Sequence, residues 1–358
     1  MHDPERVRRL RAGAQALAGG TRETSAEAVV RRVFAIQAQD LTAADLGIRA
    51  RGQDITTRAI RTAYEEERSI VRGWYMRGTL HTIPSEDARW VLRLLSPRIL
   101  AATGRRYRQL GLDDDLLRRV DRLLRRVLST HGPLTRAELI EHLTTVGAPV
   151  DGQAPFHLIR HAALTGILCH GPQRAGAATY VLLDDWLPTA GHFSGEGDVA
   201  VAELARRYLA AYGPARFEDF AAWSGLPVTW ARSAWKALAR SGAITEYGTL
   251  TLLTGRQKEP EEVGDTPDVR LLPAYDSYLL GYRTRENSVL AAHQDRVWPG
   301  GGIIRPTVIA DGLAFATWAR GSGARSITVD AFGPVPRQIQ QRVDKEREAV
   351  VRFLQSAT

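Results

Sequence analysis

The 358-residue sequence predicts a mainly α fold with β structure, built as three tandem winged-helix units followed by a small β-rich module. Three observations carry that expectation. Two stretches of the middle of the chain repeat one order of elements around a Gly-Pro turn, at Gly132-Pro133 and again 81 positions later at Gly213-Pro214. The N-terminal hundred residues read as helices followed by a strand pair with a glycine between, the order of a winged helix-turn-helix. The last hundred turn to strand-like patterning around Asp311-Gly312, a two-residue signal for a tight hairpin.

In chain order, residues 5–17 form a basic amphipathic helix ended by Gly19-Gly20. After Ser25 an apolar helical run carries Val29, Val30, Val33, Phe34 and Ile36, and closes on Gln37-Ala38-Gln39-Asp40. Asp40 caps a new short turn at 41–46. A turn at 52–54, a helix at 57–68, strand-like residues 69–83 and an Arg-rich helix at 85–110 complete the first unit. In the first repeat copy, helix 116–128 stops at Gly132-Pro133, helix 155–164 runs into Thr165-Gly166, and strands 167–170 and 179–183 make the wing. In the second, the counterparts are helix 201–211, Gly213-Pro214, helix 229–239, Ser241-Gly242 and strands 244–247 and 249–253. Each Gly-Pro pair stops one helix, and the short helix after it carries an acidic residue in its first turn. An acidic loop is expected at 257–268, then strands at 269–272, 278–281, 303–310, 313–320 and 326–332. The closing helix, 336–355, should bury Ile339, Val343, Val350 and Phe353. Domain limits are therefore expected at 1–115, 116–190, 198–256 and 266–358.

Composition narrows the function. No apolar run approaches the roughly 18 residues that span a bilayer, so no membrane is expected. The charged N-terminus has no apolar signal region, which points to a cytoplasmic, nucleoid-associated protein. A single cysteine, Cys169, excludes an internal disulfide framework. The nine histidines read as scattered, without a His-x-x-x-His pair, so neither a metal nor a cofactor is predicted. Lys plus Arg is 48 against 40 Asp plus Glu, a net charge of +8, and lysine stands only at 236, 258 and 345. Arginine suits bidentate phosphate contact, so the excess points towards nucleic acid, although an Arg-rich genome would give the same bias.

The candidate site is Gln37 with Gln39. On a regular helix, positions i and i+2 point about 200° apart, so the two amides share a site only if the helix ends or distorts there.

Five motifs stand in one order along the chain: Gln37-Ala38-Gln39, Arg77-Gly78-Thr79-Leu80-His81, the turn at Gly213 with Asp219-Phe220-Ala221-Ala222-Trp223-Ser224-Gly225-Leu226, Leu272-Pro273-Ala274-Tyr275-Asp276, and Gly302-Ile303-Ile304-Arg305-Pro306. Over nearly its whole length the sequence resembles the AlkZ/YcaQ family of bacterial winged-helix DNA glycosylases. The resemblance implies three tandem winged helices in a C-shape around DNA, with a small β-barrel-like module at the C-terminus. It implies excision of N7-alkylated guanines from double-stranded DNA, bulky adducts and interstrand crosslinks included, in base excision repair or antibiotic self-resistance. Gln37 and Gln39 match the family's Gln-x-Gln catalytic form. The carboxylate-bearing Gln-x-Asp form is absent, and Asp40 lies one residue off that register, where it reads as a cap.

Such a mild site fits the chemistry. N7 alkylation makes the purine cationic, so cleavage of the C1′–N9 bond releases a neutral base and needs no acid. Two amides can hold a water at C1′ through accepting and donating hydrogen bonds. No lysine sits near the motif to form a Schiff base, so a monofunctional enzyme without lyase action is expected, acting as a monomer. Arg77, Thr79 and His81 alternate along an expected strand and would share one face, lining the lesion or touching phosphate. Arg283, Arg285 and Arg305 are further candidates for the DNA backbone. Trp74 and Tyr75 are expected in the core, Glu65-Glu66-Glu67 on a solvated helix face, and Asp276 in a turn. The rival reading is a winged-helix transcriptional regulator without catalysis, which would bind undamaged operator DNA; a third is a protein that sequesters a drug.

Overall fold

The computed structural model describes residues 3–20, 22–187, 193–256, 267–321 and 326–356. Packing divides the chain into two compact units, one of Met1–Arg61 with Asp198–Thr358, the other Thr62–Gly197. Residues 257–266 of the expected acidic loop lie outside the described residues.

The first unit opens with α1 (Pro4–Ala14), started by the Asp3 side chain, which accepts from Glu5 N at 3.0 Å, and by proline at the first helical position. The Ser25 hydroxyl caps α2 (Ala26–Val33), whose Val29, Val30 and Val33 are buried. This helix ends earlier than the apolar run suggests. Phe34 takes φ 68° and ψ −42°, and the chain continues extended into β1 (Ile36–Gln37). Asp40 then caps α3 (Leu41–Arg51), a full helix rather than a short turn, by accepting from Ala43 N at 3.1 Å. α4 (Thr57–Glu65) follows.

In the second unit, β2 (Ile70–Trp74) pairs antiparallel with β3 (Leu80–Pro84), Trp74 opposite Leu80. The expected strand pair with a glycine between is this hairpin, joined by a 3-10 turn at Met76–Gly78, with Arg77 at φ 55° and Gly78 at φ 68°. Tyr75 N donates to Thr79 O at 3.0 Å and Gly78 N to Tyr75 O at 2.8 Å, which closes the hairpin. α5 (Ala88–Gln109) and α6 (Asp114–His131) lead to β4 (Leu134–Thr135), α7 (Arg136–Thr144) and α8 (Ala154–Leu164). The wing is β5 (Leu168–His170) with β6 (Thr179–Leu182), followed by the short α9 (Leu183–Trp186). The sheet order is β4-β6-β5, so the residues after Gly132-Pro133 supply a third strand. Leu116, Val120, Leu123, Leu124 and Val127 of α6 pack into one core with Leu158 and Leu164 of α8.

The chain then returns to the first unit with α10 (Gly197–Tyr212), α11 (Phe217–Ser224), α12 (Val228–Arg240) and the hairpin β7 (Ile244–Tyr247) and β8 (Leu250–Leu253). Here Ala215, just after Gly213-Pro214, bridges Thr251, so the second repeat copy adds the same third partner to its wing. Beyond it come β9 (Val269–Leu272), α13 (Ser277–Leu280), α14 (Gln294–Val297), β10 (Thr307–Ala310), β11 (Leu313–Arg320), β12 (Ile327–Ala331) and α15 (Arg337–Gln355). Residues expected as a strand at 278–281 form helix α13 instead, because Asp276 accepts from Tyr278 N at 2.8 Å and caps it. The strand expected from 303 starts only at Thr307, after a run of left-handed glycines at 300–302. Asp311 and Gly312, at φ 44° and 82°, make the β10–β11 turn. The sheet is linear, β12-β11-β10-β9, with β9 and β12 at its edges, so the barrel-like module is an antiparallel meander among the described residues. α15 lies against β9 and buries Val343, Val350 and Phe353, while Ile339 is half-buried.

The second unit buries three histidines, His81, His157 and His170. His81 on β3 and His170 on β5 both have pKa values lowered to about 3, chiefly by burial, with Arg77 and Arg72 respectively adding to the shift. Both are neutral in the folded chain, whereas the unfolded chain takes up protons near pH 6.5. Their contribution to stability is therefore complete above about pH 6.5 and falls as pH drops towards 3. Thermal melts at pH 7 and pH 5 should show a drop in Tm that becomes smaller in His81→Gln; an equal drop in both proteins would contradict this account.

Candidate active site

Gln37 sits at the end of β1 and Gln39 two residues on, in the bend that leads to the Asp40 cap. The Gln37 Nε2 donates to Gln39 Oε1 at 3.0 Å. Early termination of α2 thus achieves what a continuing helix would forbid. Gln37 is half-buried and Gln39 exposed, with Ala38 between them buried. Asp40 spends its side chain on the α3 N-terminus and does not join the pair.

The turn that creates this arrangement is held from outside its own segment. Phe34 is near the left-handed γ-turn region, a backbone conformation unfavourable for a residue with a side chain. Its ring is buried, 6.5 Å from Trp223, with the Arg207 guanidinium 5.3 Å from its centroid. The next carbonyl, Ala35 O, accepts from Ser277 Oγ at 3.1 Å and from the Tyr212 hydroxyl at 3.4 Å. Ser277 is the first residue of α13, and the cap of α13, Asp276, is the buried partner of Arg51. Nη2 and Nη1 of Arg51 reach Asp276 Oδ1 and Oδ2 at 2.7 and 2.9 Å, and the same guanidinium donates to Gly47 O and Gln15 Oε1. Asp276 is therefore more than a turn residue. Its neighbour Tyr275 takes φ 58°, which turns the chain from β9 into the cap. The motif Leu272-Pro273-Ala274-Tyr275-Asp276 is visible in the sequence, but nothing in it points to a partner 225 positions away.

The other candidates separate. Arg77, Thr79 and His81 belong to the second unit and do not share a strand face: Arg77 is in the hairpin turn, Thr79 follows it, and only His81 is on β3. The His81 side chain is buried, and Nδ1 lies 3.0 Å from Thr79 O, so it serves the hairpin rather than a surface. Trp74 and Tyr75 are in the core. Arg283, Arg285 and Arg305 belong to the first unit and are exposed. The Arg285 guanidinium lies 4.4 Å from the Trp298 ring centroid, Arg305 Nη1 donates to Arg296 O at 3.3 Å, and Arg283 N donates to Asp219 Oδ1 at 2.9 Å. His157 and His161 stand four apart on α8, a His-x-x-x-His pair that corrects the expectation of scattered histidines. The His161 ring is 4.0 Å from Asp121. Even so, among the described residues no group of three or more His, Cys, Asp or Glu side chains is placed to hold a metal ion.

The family described as DNA glycosylase AlkZ-like matches residues 30–353. The chain belongs to the AlkZ-like DNA glycosylase family. An interstrand DNA cross-link repair glycosylase of Streptomyces sahachiroi is 30% identical over 348 residues, spanning 92% of this chain and 91% of that protein. The solved structure of Streptomyces sahachiroi DNA glycosylase AlkZ superposes with a TM-score of 0.81 at 25% identity, covering 99% of this chain and 97% of that one. The mixed helix-and-sheet fold is thus that of an AlkZ-like protein, and the Gln37–Gln39 pair lies inside the matched span.

Removing one member of the buried pair leaves the other charged and without its partner. Arg51→Met should destabilise the first unit by about 3–5 kcal/mol, while the double variant Arg51→Met/Asp276→Leu should recover part of that loss. Denaturant unfolding of the three proteins checks this; a single-variant loss below about 1 kcal/mol would show that the pair does not hold this unit together.

Proposed function

We propose that the protein hydrolyses the N-glycosidic bond of N7-alkylated guanine in double-stranded DNA, bulky adducts and interstrand crosslinks included, as a monofunctional glycosylase. The amide pair is the observation that carries this reading. With Gln37 Nε2 committed to Gln39 Oε1, the Gln37 Oε1 is left as an acceptor for a water proton, and it makes no other hydrogen bond among the described residues. A water so held can be aimed at C1′. The cationic base leaves as a neutral molecule once C1′–N9 breaks, and its electrons return to the ring without a proton from the protein. The water attacks the cationic sugar and loses its proton to solvent. The role of the two glutamines is positioning, since an amide does not accept a proton near neutral pH. The sequence has lysine only at positions 236, 258 and 345, none of them near the motif in sequence, which supports hydrolysis without lyase action. The cross-link repair named for the Streptomyces sahachiroi relative supports the bulky end of the substrate range.

The test is a duplex carrying a single N7-methylguanine, and in parallel a bulky N7 adduct, treated with alkali to reveal abasic sites. Wild type should cleave, and Gln37→Ala/Gln39→Ala should lose on the order of 10² in single-turnover rate. Cleavage by both at one rate would remove the site assignment. Cleavage by neither on either lesion would favour a DNA-binding regulator.

Because neither glutamine titrates, the single-turnover rate on N7-methylguanine should be flat between about pH 6 and pH 9. A bell-shaped profile across that range would mean that an ionising general base acts in place of the amides.

A further inference from the structure

On α6, the exposed face beyond the first turn is built from arginine. Arg119, Arg122 and Arg126 are exposed, and their side chains make no hydrogen bond or ion pair among the described residues. At 100° per residue the three fall within about 60° of one another, along about 10 Å of helix. The opposite face is the leucine-rich core stripe, so this orientation is fixed by packing. The acids of the helix are Asp114 and Asp115 in its first turn and Asp121 further on. Asp113 caps it, Asp115 pairs with Arg118, and Asp121 lies towards His161. Positions i, i+3 and i+7 therefore carry three like charges that repel each other, and the acid one turn before Arg119 on the same face, Asp115, is bonded to Arg118.

We propose that this stripe is a DNA-backbone grip, in which Arg119, Arg122 and Arg126 take phosphates outside the damaged nucleotide. The inference rests on membership of the DNA glycosylase family and goes beyond the Gln37–Gln39 site, which belongs to the other unit. A duplex presents about one charge per 1.7 Å of its axis, so a stripe of this length meets several phosphates, and guanidinium forks suit each of them. Binding relieves the repulsion along α6, which makes the duplex a better partner than water and counterions. The grip reads no sequence, because phosphates carry none. An acidic protein surface is the alternative occupant, and salt dependence on DNA separates the two.

The experiment measures binding of the full chain to an undamaged duplex across a series of salt concentrations. Undamaged DNA keeps the result independent of whether the glycosylase chemistry is assigned correctly. Arg119→Ala/Arg122→Ala/Arg126→Ala is compared with Arg9→Ala/Arg31→Ala/Arg347→Ala, which removes the same net charge from arginines already paired within their own helices. The slope of log affinity against log salt should fall by about 0.9 for each phosphate that the protein no longer neutralises. That fall should correspond to close to three phosphates in the stripe variant and to less than one in the control. Equal falls in both would show that only net charge matters and would overturn the proposal. An unchanged slope in the stripe variant would overturn it too and leave the acidic protein partner as the occupant to pursue. Circular dichroism of both variants checks that the substitutions leave the helices intact.

Discussion

The Arg51–Asp276 pair is the constraint on which the first unit depends. It joins the end of α3 to the turn after β9, two segments that the whole second unit separates in sequence, and both side chains are 1% exposed. A buried ion pair of this kind is weak evidence for net stability, because taking two charges out of water offsets much of their attraction. Its value lies in what it orders. Asp276, fixed by Arg51, also caps α13, and the cap sets Ser277 against the Ala35 carbonyl. Arg49 makes a parallel link from the same helix, with its guanidinium 2.8 Å from Glu346 of α15. So α3 is tied on one side to the turn that supports the glutamines and on another to the closing helix. The Gln37 backbone is positioned by side chains remote in sequence, and its own segment supplies only the strained Phe34.

That strain has a consequence for the chemistry. On the proposed reading, a pair of amides has no charge with which to hold a cationic sugar, so what it would contribute is geometry, and geometry demands a rigid backbone. The unfavourable Phe34 conformation persists because the buried ring, Ser277 and Tyr212 over-determine it. A carboxylate at the second position could act through its charge at longer range and would tolerate more slack. The absence of one at position 39 and the anchoring of Ala35 by two hydroxyls are consistent halves of one arrangement. Tyr212 fits the same pattern: burial pushes its phenol up to about 12, so it stays a neutral donor through any working pH.

Much of this is legible in the sequence, and what is not has a physical cause. Helices with periodic apolar faces and polar caps are readable, α6 and α7 above all, because local signals decide them: a leucine stripe in one, a Thr135–Glu138 capping box in the other. The Asp311-Gly312 turn is readable for the same reason. Misreadings fall where tertiary contacts override local pattern. The apolar run through Ile36 looks helical to its end, yet Phe34 breaks it and buries its ring beside Trp223. Arg77 looks like an alternating strand residue, but Gly78 allows the tight turn that takes it off the strand. Residues 278–281 are apolar enough for a strand, and the Asp276 cap makes them a helix. The pairing of Gln37 with Gln39 is recognisable as a motif, while its support is not, since no local rule joins Ala35 to Ser277 or Arg51 to Asp276.

The arginines show how far composition can be trusted. A compositional bias towards arginine would scatter it without regard to environment, and a high-GC genome is a sufficient account of the net charge from sequence. In the folded chain the same residue falls into different environments. Arg11 and Arg51 are buried, with Arg11 Nε donating to Pro214 O at 2.8 Å and its guanidinium 3.7 Å from the Tyr282 ring centroid. Those positions use the planar fork for several simultaneous contacts that a lysine ammonium could not reproduce. On α6 the guanidinium groups at 119, 122 and 126 meet no hydrogen-bond or ion-pair partner among the described residues, on a face where alternating acids would have cost the fold nothing. Bias can supply the arginines, but it does not remove the acids between them. A helix that needs only solubility gains from mixed charge through i, i+4 pairs. Beyond its first turn, α6 keeps a single sign along this face and gives up those pairs, which is the charge pattern that the proposed phosphate grip would use.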